Sequence, residues 1–459
     1  MYDIIIIGAG TAGIAAYKEA IKFTQNILII NAGPWDTTCA RVGCMPSKAL
    51  IASANRMHDI QHAAELALNI NTEIKTTQVM QRVRTLRDAF TSATQQDVDR
   101  WPAEHKISGQ ATFIDLHTVE VNGQHYQAKS FIVAVGSTPT FDQTLKDQLQ
   151  DRLISSDDIF ELEQLPKSLA VIGSGVIALE LAQAMHRLAV QVDIFARSRK
   201  VGSLTSPHLQ SLAQQELSKE LNIHFEVLPE SIQRIGQNIK IDFIENNCLK
   251  SITVEYLLVA TGRRSLLTSL NLKNLNPQYE NLKQLDIHPE TKQLSHYPIF
   301  IVGDAHTSTP VQHEAAHEGR TAVHNCLNYP QIDSLKNLTP LSIVFSQPEM
   351  AIVGKSAKQL QQEGIEFITG FVDYSRQGRA MVMAKNQGAV EIYIEKNTQI
   401  ILGAELFIAE AEHLAHLLAW MIDTHVTLDE ILTKPFYHPT LEEGLRTALK
   451  HAKRQLKIS

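Results

Sequence analysis

Ile4-Ile5-Ile6-Ile7-Gly8-Ala9-Gly10-Thr11-Ala12-Gly13 stands at the head of the chain. An unbroken β-branched run with no polar alternation predicts a parallel strand buried on both faces. The spaced glycines let the backbone turn tightly and come close to a pyrophosphate, and the Ala-rich segment after them has helical periodicity. A second apolar run, Ile27 to Ile30, completes strand, turn, helix, strand. The G-x-G-x-x-G spacing alone is weak, because small residues also occur wherever a helix packs closely on a strand. Its place between a strand and a helix gives it weight here.

The same order recurs further along. Leu169 to Ile172 leads into Gly173-Ser174-Gly175-Val176-Ile177-Ala178, a helix follows, and Val190 to Phe195 reads as the next strand. Two such βαβ units predict two separate dinucleotide sites. Ile107 to Val121 and Phe131-Ile132-Val133-Ala134-Val135-Gly136 read as strands returning to the first sheet. Leu257-Leu258-Val259-Ala260-Thr261-Gly262 repeats that ending in the second unit, and Ile299-Phe300-Ile301-Val302-Gly303-Asp304 is another buried strand. After Tyr329-Pro330 the pattern changes to alternating strands such as Ala389 to Ile394, followed by helices. The expected architecture is therefore α/β: two Rossmann-like dinucleotide-binding domains, then an α+β domain from about residue 337.

Composition narrows the function. Hydrophobic residues make up 44% and charged ones 20% of 459 residues, which suits a soluble protein of about three domains. Lys plus Arg number 42 and Asp plus Glu 49, a formal charge of −7, which argues against nucleic acid as the main partner. No apolar run approaches the roughly 20 residues of a membrane span. The opening segment lacks the basic start and cleavage site of a signal peptide. Four cysteines are too few for a disulfide scaffold, so a reducing cytoplasm is the expected compartment.

Chemistry concentrates in Thr38-Cys39-Ala40-Arg41-Val42-Gly43-Cys44-Met45-Pro46-Ser47-Lys48. Two cysteines five positions apart at the start of a helix can close a strained disulfide beside a bound ring, and a helix N-terminus stabilises a thiolate. Buried structural thiols are the plainer alternative. A zinc site would need further ligands at motif spacing, and Cys248 and Cys326 are isolated. Asn31 stands after the second strand, where an acid usually holds the adenosine ribose; its amide can hydrogen-bond a hydroxyl without charge.

These motifs together resemble the FAD-dependent pyridine nucleotide–disulfide oxidoreductases, the family of dihydrolipoamide dehydrogenase and glutathione reductase, in a divergent bacterial branch. The likeness spans the whole chain: both nucleotide motifs in order, Ala134-Val135-Gly136, Ala260-Thr261-Gly262-Arg263, Gly303-Asp304, and Phe436-Tyr437-His438-Pro439-Thr440-Leu441-Glu442-Glu443. It implies an FAD-binding domain from 1–145 and 266–336, an NAD(P)-binding domain from 146–265, and a dimerisation domain from 337–459. It implies that Gly8, Gly10, Gly13, Asn31, Thr38, Ala111, Gly136, Asp304 and His313 surround FAD, with Asp304 on the ribityl chain. Lys48 would lie near flavin N5, paired with Glu180; Gly173, Gly175, Val176, Glu180 and Gly262 would hold NAD(P). His438, oriented by Glu443, would be the acid–base residue and would serve the other subunit of a homodimer. Near neutral pH a His suits that proton transfer.

Departures from the family pattern are Asn31, Asp36 where a Gly is usual, and Arg264-Ser265 where Pro-Asn is usual. Retention of His438, with a C-terminus lacking the terminal Cys pair, separates the chain from the mercuric reductase branch. Retention of both cysteines separates it from the soluble transhydrogenases. The second unit's strand ends at Ala196, followed by Arg197, Ser198, Arg199 and Lys200, whereas an NAD site usually ends in an acid. Asp193 lies too early in the strand to reach the ribose. A 2′-phosphate would meet two guanidinium groups and no opposing carboxylate, so NADPH is expected over NADH.

The implied substrate is a small-molecule dithiol or disulfide, or a lipoyl-protein, with no nucleic acid or membrane partner. Alternatives are an NADPH-dependent reductase of another disulfide, a quinone or a metal ion, and, from a different class, a non-catalytic flavoprotein. Glu410, His413 and His416 share one helical face, but apolar neighbours Leu414, Leu417 and Leu418 favour an interface helix over a metal site.

Overall fold

Ile4 to Ile7 are buried because the two faces of strand Tyr2–Ile7 enter two different cores. Ile4 and Ile6 pack with Tyr17, Trp101 and Phe300, while Ile5 and Ile7 pack with Phe113, Phe131 and Val133. That double burial is why the strand reads as a continuous apolar run. In this computed structural model, residues 1–306, 310–334 and 337–456 are described.

The chain divides into two compact units, each assembled from three stretches: 1–46, 83–140 and 262–338 form one, and 47–82, 141–261 and 339–459 the other. In the first unit, Tyr2–Ile7 pairs in parallel with Ile27–Asn31 on one side and Gln124–Val133 on the other. Ile27–Asn31 continues to Lys106–Ser108, and Ile299–Ile301 joins the far half of Gln124–Val133. The near half of that long strand runs antiparallel to Thr118–Val121, which pairs with Ala111–Asp115. Helices Thr11–Ala20 and Gln312–Asn328 cover one face. They meet so closely that a Cβ on Gly319 would lie 2.2 Å from the Ala12 carbonyl oxygen.

The second unit holds a five-stranded parallel sheet in the order Asn222–Phe225, Gln191–Ala196, Ser168–Ile172, Tyr256–Val259, Leu153–Ile154. A three-stranded antiparallel sheet, Pro229–Ile235, Asn238–Glu245 and Cys248–Val254, packs beside it through Ile239, Ile241 and Phe243. Its C-terminal part is an antiparallel sheet in the order Leu341–Val344, Glu349–Gly354, Ile401–Ile408, Ala389–Glu395, Phe367–Asp373. Helices Ala411–Asp423 and Glu443–Leu456 bury Leu414, Leu418, Leu445 and Leu449 in that sheet's core. Parallel sheets with crossover helices, followed by an antiparallel sheet with helices, are the α/β and α+β layers expected from the sequence.

Candidate active site

Both Gly-rich turns have the shape of a dinucleotide cradle. Gly8 has φ +106°, and a Cβ there would lie 2.3 Å from the Ala134 carbonyl oxygen; at Gly13 it would lie 1.8 Å from that of Gly8. The glycines thus seat the helix against the sheet. A Cβ on Gly10 would meet nothing within 4 Å. Gly10 is the N-cap of helix Thr11–Ala20, and having no side chain it leaves the first N–H groups of that helix without a side-chain cap of its own. The second turn repeats the arrangement: Gly173 at φ +123° has the Ala260 oxygen 2.5 Å from its would-be Cβ. Gly175 again opens onto space and caps Val176–Arg187 without a side-chain bond.

Of the other residues expected at FAD, Ala111 is buried at the start of its strand, Thr38 is exposed, and Gly136 has φ +70°. His313 lies in the first turn of helix Gln312–Asn328. Asp304 follows strand Ile299–Ile301; burial raises its pKa, against the pull of Arg263. Asn31 is tied into the turn by its own hydrogen bonds. Its Oδ1 accepts from Ala9 N at 3.0 Å, and its amide donates to the carbonyls of Gly33 (2.8 Å) and Pro34 (2.9 Å). Both donors are therefore spent on the chain's own loop, and only one acceptor lone pair is left for a ribose. Asn31 is a strut of the turn.

Cys39 and Cys44 occupy two segments instead of one helix start. Cys39 sits in the short helix Thr38–Arg41, whose first turn Thr37 caps by accepting from Ala40 N at 3.1 Å. Cys44 begins helix Cys44–Gln61 and is exposed, while Cys39 is half-buried. Asp36 is buried and accepts from Arg41 Nε at 3.0 Å, so it ties this loop together where a Gly is usual. Lys48 follows four residues along the same helix. Its Nζ lies 2.8 Å from Glu180 Oε2 and 4.4 Å above the centre of the Phe345 ring. Glu180 also accepts from Phe345 N at 2.9 Å, so one buried carboxylate holds both the ammonium and the segment carrying the ring.

The basic loop after strand Gln191–Ala196 is pinned to the second Gly turn: Ser174 Oγ donates to the Lys200 carbonyl at 2.6 Å, and Gly202 N donates to Ser174 O at 2.8 Å. Arg197 and Arg199 are exposed there. Arg199 is not unopposed. Glu226, at the end of the neighbouring strand, brings Oε2 to 3.9 Å from its Nη1. The sequence showed no such carboxylate because strand adjacency, not chain position, places it. Asp193 is buried between Asn222 (2.6 Å) and His224 (3.2 Å), as its early place in the strand implies. Gly262, with φ +123°, packs in the first unit, its carbonyl accepting from Thr140 N at 3.1 Å.

In the C-terminal part of the second unit, His438 Nδ1 lies 3.0 Å from Glu443 Oε2 and 3.2 Å from Oε1. Thr440 N–H first, and His438 second, hold the Glu443 carboxyl below the usual range. Glu443 opens helix Glu443–Leu456, where a carboxylate complements the helix dipole. With Nδ1 turned to the carboxylate, Nε2 points away, and the His438 side chain is 81% exposed. Glu410 lies outside helix Ala411–Asp423 at φ +55°, so it does not share a helical face with His413 and His416. No group of three or more metal-type ligands occurs among the described residues. No helix among them is long and apolar enough to cross a membrane.

A family of proteins has this construction: two nucleotide-binding folds, a paired-cysteine segment and a C-terminal antiparallel domain. The pyridine nucleotide-disulphide oxidoreductase family matches residues 2–319, and its dimerisation domain matches residues 341–449. The chain belongs to this family; it is an FAD-dependent oxidoreductase of a pyridine nucleotide and a disulfide, with the family's dimerisation domain. Among its relatives, the dihydrolipoyl dehydrogenase of Geobacillus stearothermophilus is 27% identical over 96% of this chain and 94% of that protein. A mercuric reductase of Staphylococcus aureus is 26% identical over 97% and 82%. The crystal structure of LpdA from Mycobacterium tuberculosis has the same fold, with a TM-score of 0.84 and 21% identity over 97% of this chain and 98% of that one.

Proposed function

We propose that this chain, as a homodimer in a reducing cytoplasm, exchanges two electrons between a dithiol–disulfide substrate and a nicotinamide coenzyme, as a dihydrolipoyl dehydrogenase does. The observation that carries the reading is the His438–Glu443 pair: a carboxylate fixes Nδ1 while the rest of the imidazole stands in solvent, ready for a group outside its own unit. FAD, when bound, supplies the two-electron link between thiol and hydride chemistry. Gly8, Gly10, Gly13, Thr38, Ala111, Gly136, Asp304 and His313 would hold it, and the open space at Gly10 fits a pyrophosphate.

The remaining chemistry belongs to side chains. His438 Nε2 takes a proton from the substrate dithiol, and Glu443 stabilises the imidazolium that forms. The substrate thiolate attacks Cys39 Sγ of an oxidised Cys39–Cys44 pair; a mixed disulfide forms as the Cys39–Cys44 bond breaks, leaving Cys44 as thiolate. The second substrate thiol, once deprotonated, closes the substrate disulfide and releases Cys39. The pair has then gained two electrons. Lys48, held by Glu180, would supply the fixed positive charge that the family resemblance implies for it beside the flavin. The dyad serves the cysteines of the partner subunit, so a monomer lacks its base.

For the coenzyme, Gly173, Gly175 and Val176 form the phosphate turn, and the loop of Arg197 and Arg199 favours NADPH. The test is turnover of the purified protein with lipoamide, glutathione disulfide, quinones and mercuric ion, each with NADH and NADPH. Lipoamide turnover should be lost without the thiols, and NADPH should be preferred by roughly 10-fold in kcat/KM. Ala196→Glu with Arg197→Ala should reverse the preference, because the new carboxylate accepts from ribose hydroxyls and repels the phosphate. Faster wild-type turnover with NADH would make the basic loop a solvated turn.

A further inference from the structure

The acid that strand Gln191–Ala196 lacks at its own end stands one strand over. Ala196 pairs in parallel register with Phe225, and Val227 N donates to Ala196 O at 3.2 Å, so Glu226 is stitched beside the strand end. Its backbone is left-handed, φ +61°, which turns the chain sharply just where the sheet stops. The carboxylate reaches Arg199 at 3.9 Å, and the Arg199 guanidinium lies 5.4 Å from the centre of the Phe225 ring. The same loop is pinned to the Gly173–Gly175 turn through Ser174, and Gly173 N donates to Phe195 O at 2.9 Å. Gly turn, basic loop and Glu226 thus share the C-terminal edge of one parallel sheet, where nucleotides bind in such folds.

We propose that Glu226 is a specificity-determining residue for the nicotinamide coenzyme; this rests on reading residues 173–200 as the coenzyme turn. Glu226 stands 3.9 Å from Arg199 as a loose pair of two largely exposed groups. A 2′-phosphate bound at Arg199 would sit near that carboxylate's charge, while the ribose hydroxyls of the unphosphorylated coenzyme can donate to it. Arg197, which makes no ion pair among the described residues, is left as the main cation for the phosphate. The two-strand arrangement narrows the gap between the coenzymes that the basic loop alone would create.

The test measures NADP⁺ and NAD⁺ dissociation constants on the oxidised, FAD-loaded protein, wild type against Glu226→Gln, at low and high ionic strength. Glu226 is exposed and makes no other ion pair among the described residues, so the substitution leaves the fold intact. The ratio of NADP⁺ to NAD⁺ affinity should rise by roughly 3- to 10-fold in the variant at low ionic strength. That gain should shrink at high ionic strength, as an exposed charge effect must. An unchanged ratio, or a gain insensitive to salt, overturns the proposal. The wild-type preference tests the basic-loop reading separately: a wild type favouring NAD⁺ refutes that reading, yet a salt-sensitive shift on Glu226→Gln would still establish the role of Glu226.

Discussion

In the proposed reaction His438 carries the proton, and its surroundings fit that role. The Glu443 carboxylate occupies Nδ1 and leaves Nε2 as the nitrogen turned outward. His438→Ala should slow dithiol–disulfide turnover by roughly 10²-fold or more, the usual share of general acid–base catalysis. Quinone reduction, which bypasses the thiols, should change little, and steady-state assays with both acceptors measure the split. Equal losses with both would point to structural damage. At this scale the chain was only partly legible. Lys48 and Glu180 lie 132 positions apart, and only resemblance linked them before the structure set them 2.8 Å apart. The bonds of Asn31 to Gly33 and Pro34 were not visible, because its partners are backbone carbonyls, which no side-chain pattern reveals. Glu226 went unseen because its neighbour Arg199 is reached through a register between strands.

At the scale of elements, the two Gly turns were readable because each demands a particular backbone at fixed spacing. Gly10 separates binding from folding. Its would-be Cβ touches no protein atom, so Gly10→Ala should leave the melting temperature of the apoprotein nearly unchanged. The methyl would fill the space open to a pyrophosphate, so FAD affinity should fall by about 10-fold or more, measured by flavin titration of apoprotein. A variant that binds FAD normally would remove the pyrophosphate from this turn. Strand Glu349–Gly354 carries another element-scale consequence. Burial raises the Glu349 carboxyl from 4.5 to about 7; Glu412 N–H opposes this, and the Glu412 and Glu410 carboxylates add to it. A carboxyl raised in the folded state binds its proton more tightly there than when unfolded. Its stabilisation is present below about 4.5 and is lost as pH climbs through about 7. Glu349→Gln should remove that decline and raise the melting temperature above neutral pH by roughly 2–4 °C, read from melts across the window.

For the whole molecule, the dimerisation domain and an outward-facing dyad make a distinctive demand. Mixing Cys44→Ser chains with His438→Ala chains, each slowed by about 10²-fold or more with dithiols alone, should restore turnover. In a mixed dimer the intact cysteines of one chain meet the intact histidine of the other. Random exchange makes about half the dimers mixed, each with one working site of two, so about a quarter of wild-type activity should return. No recovery after subunit exchange would place the dyad on its own chain's cysteines. The α/β class was visible in the sequence because parallel strands buried on two faces read as unbroken apolar runs; the late change showed as alternation in Ala389–Glu395, where Glu391 is buried too and accepts from the Tyr393 hydroxyl. The pairing of Ile299–Ile301 with Gln124–Val133 was not visible, since short apolar runs do not announce their neighbours.

That late strand has a consequence for how the protein is made. Gln124–Val133 waits for Ile299–Ile301 while the ribosome threads out the whole parallel sheet of the second unit, an interval of roughly 10–30 seconds at ordinary elongation speeds. Through that interval the nascent chain presents an apolar strand edge with no permanent neighbour, and such edges recruit other chains. Vectorial synthesis therefore exposes this protein to an aggregation hazard midway through translation, and holding chaperones should bind ribosome-stalled chains ending near residue 250 more tightly than chains released after strand Ile299–Ile301 has emerged.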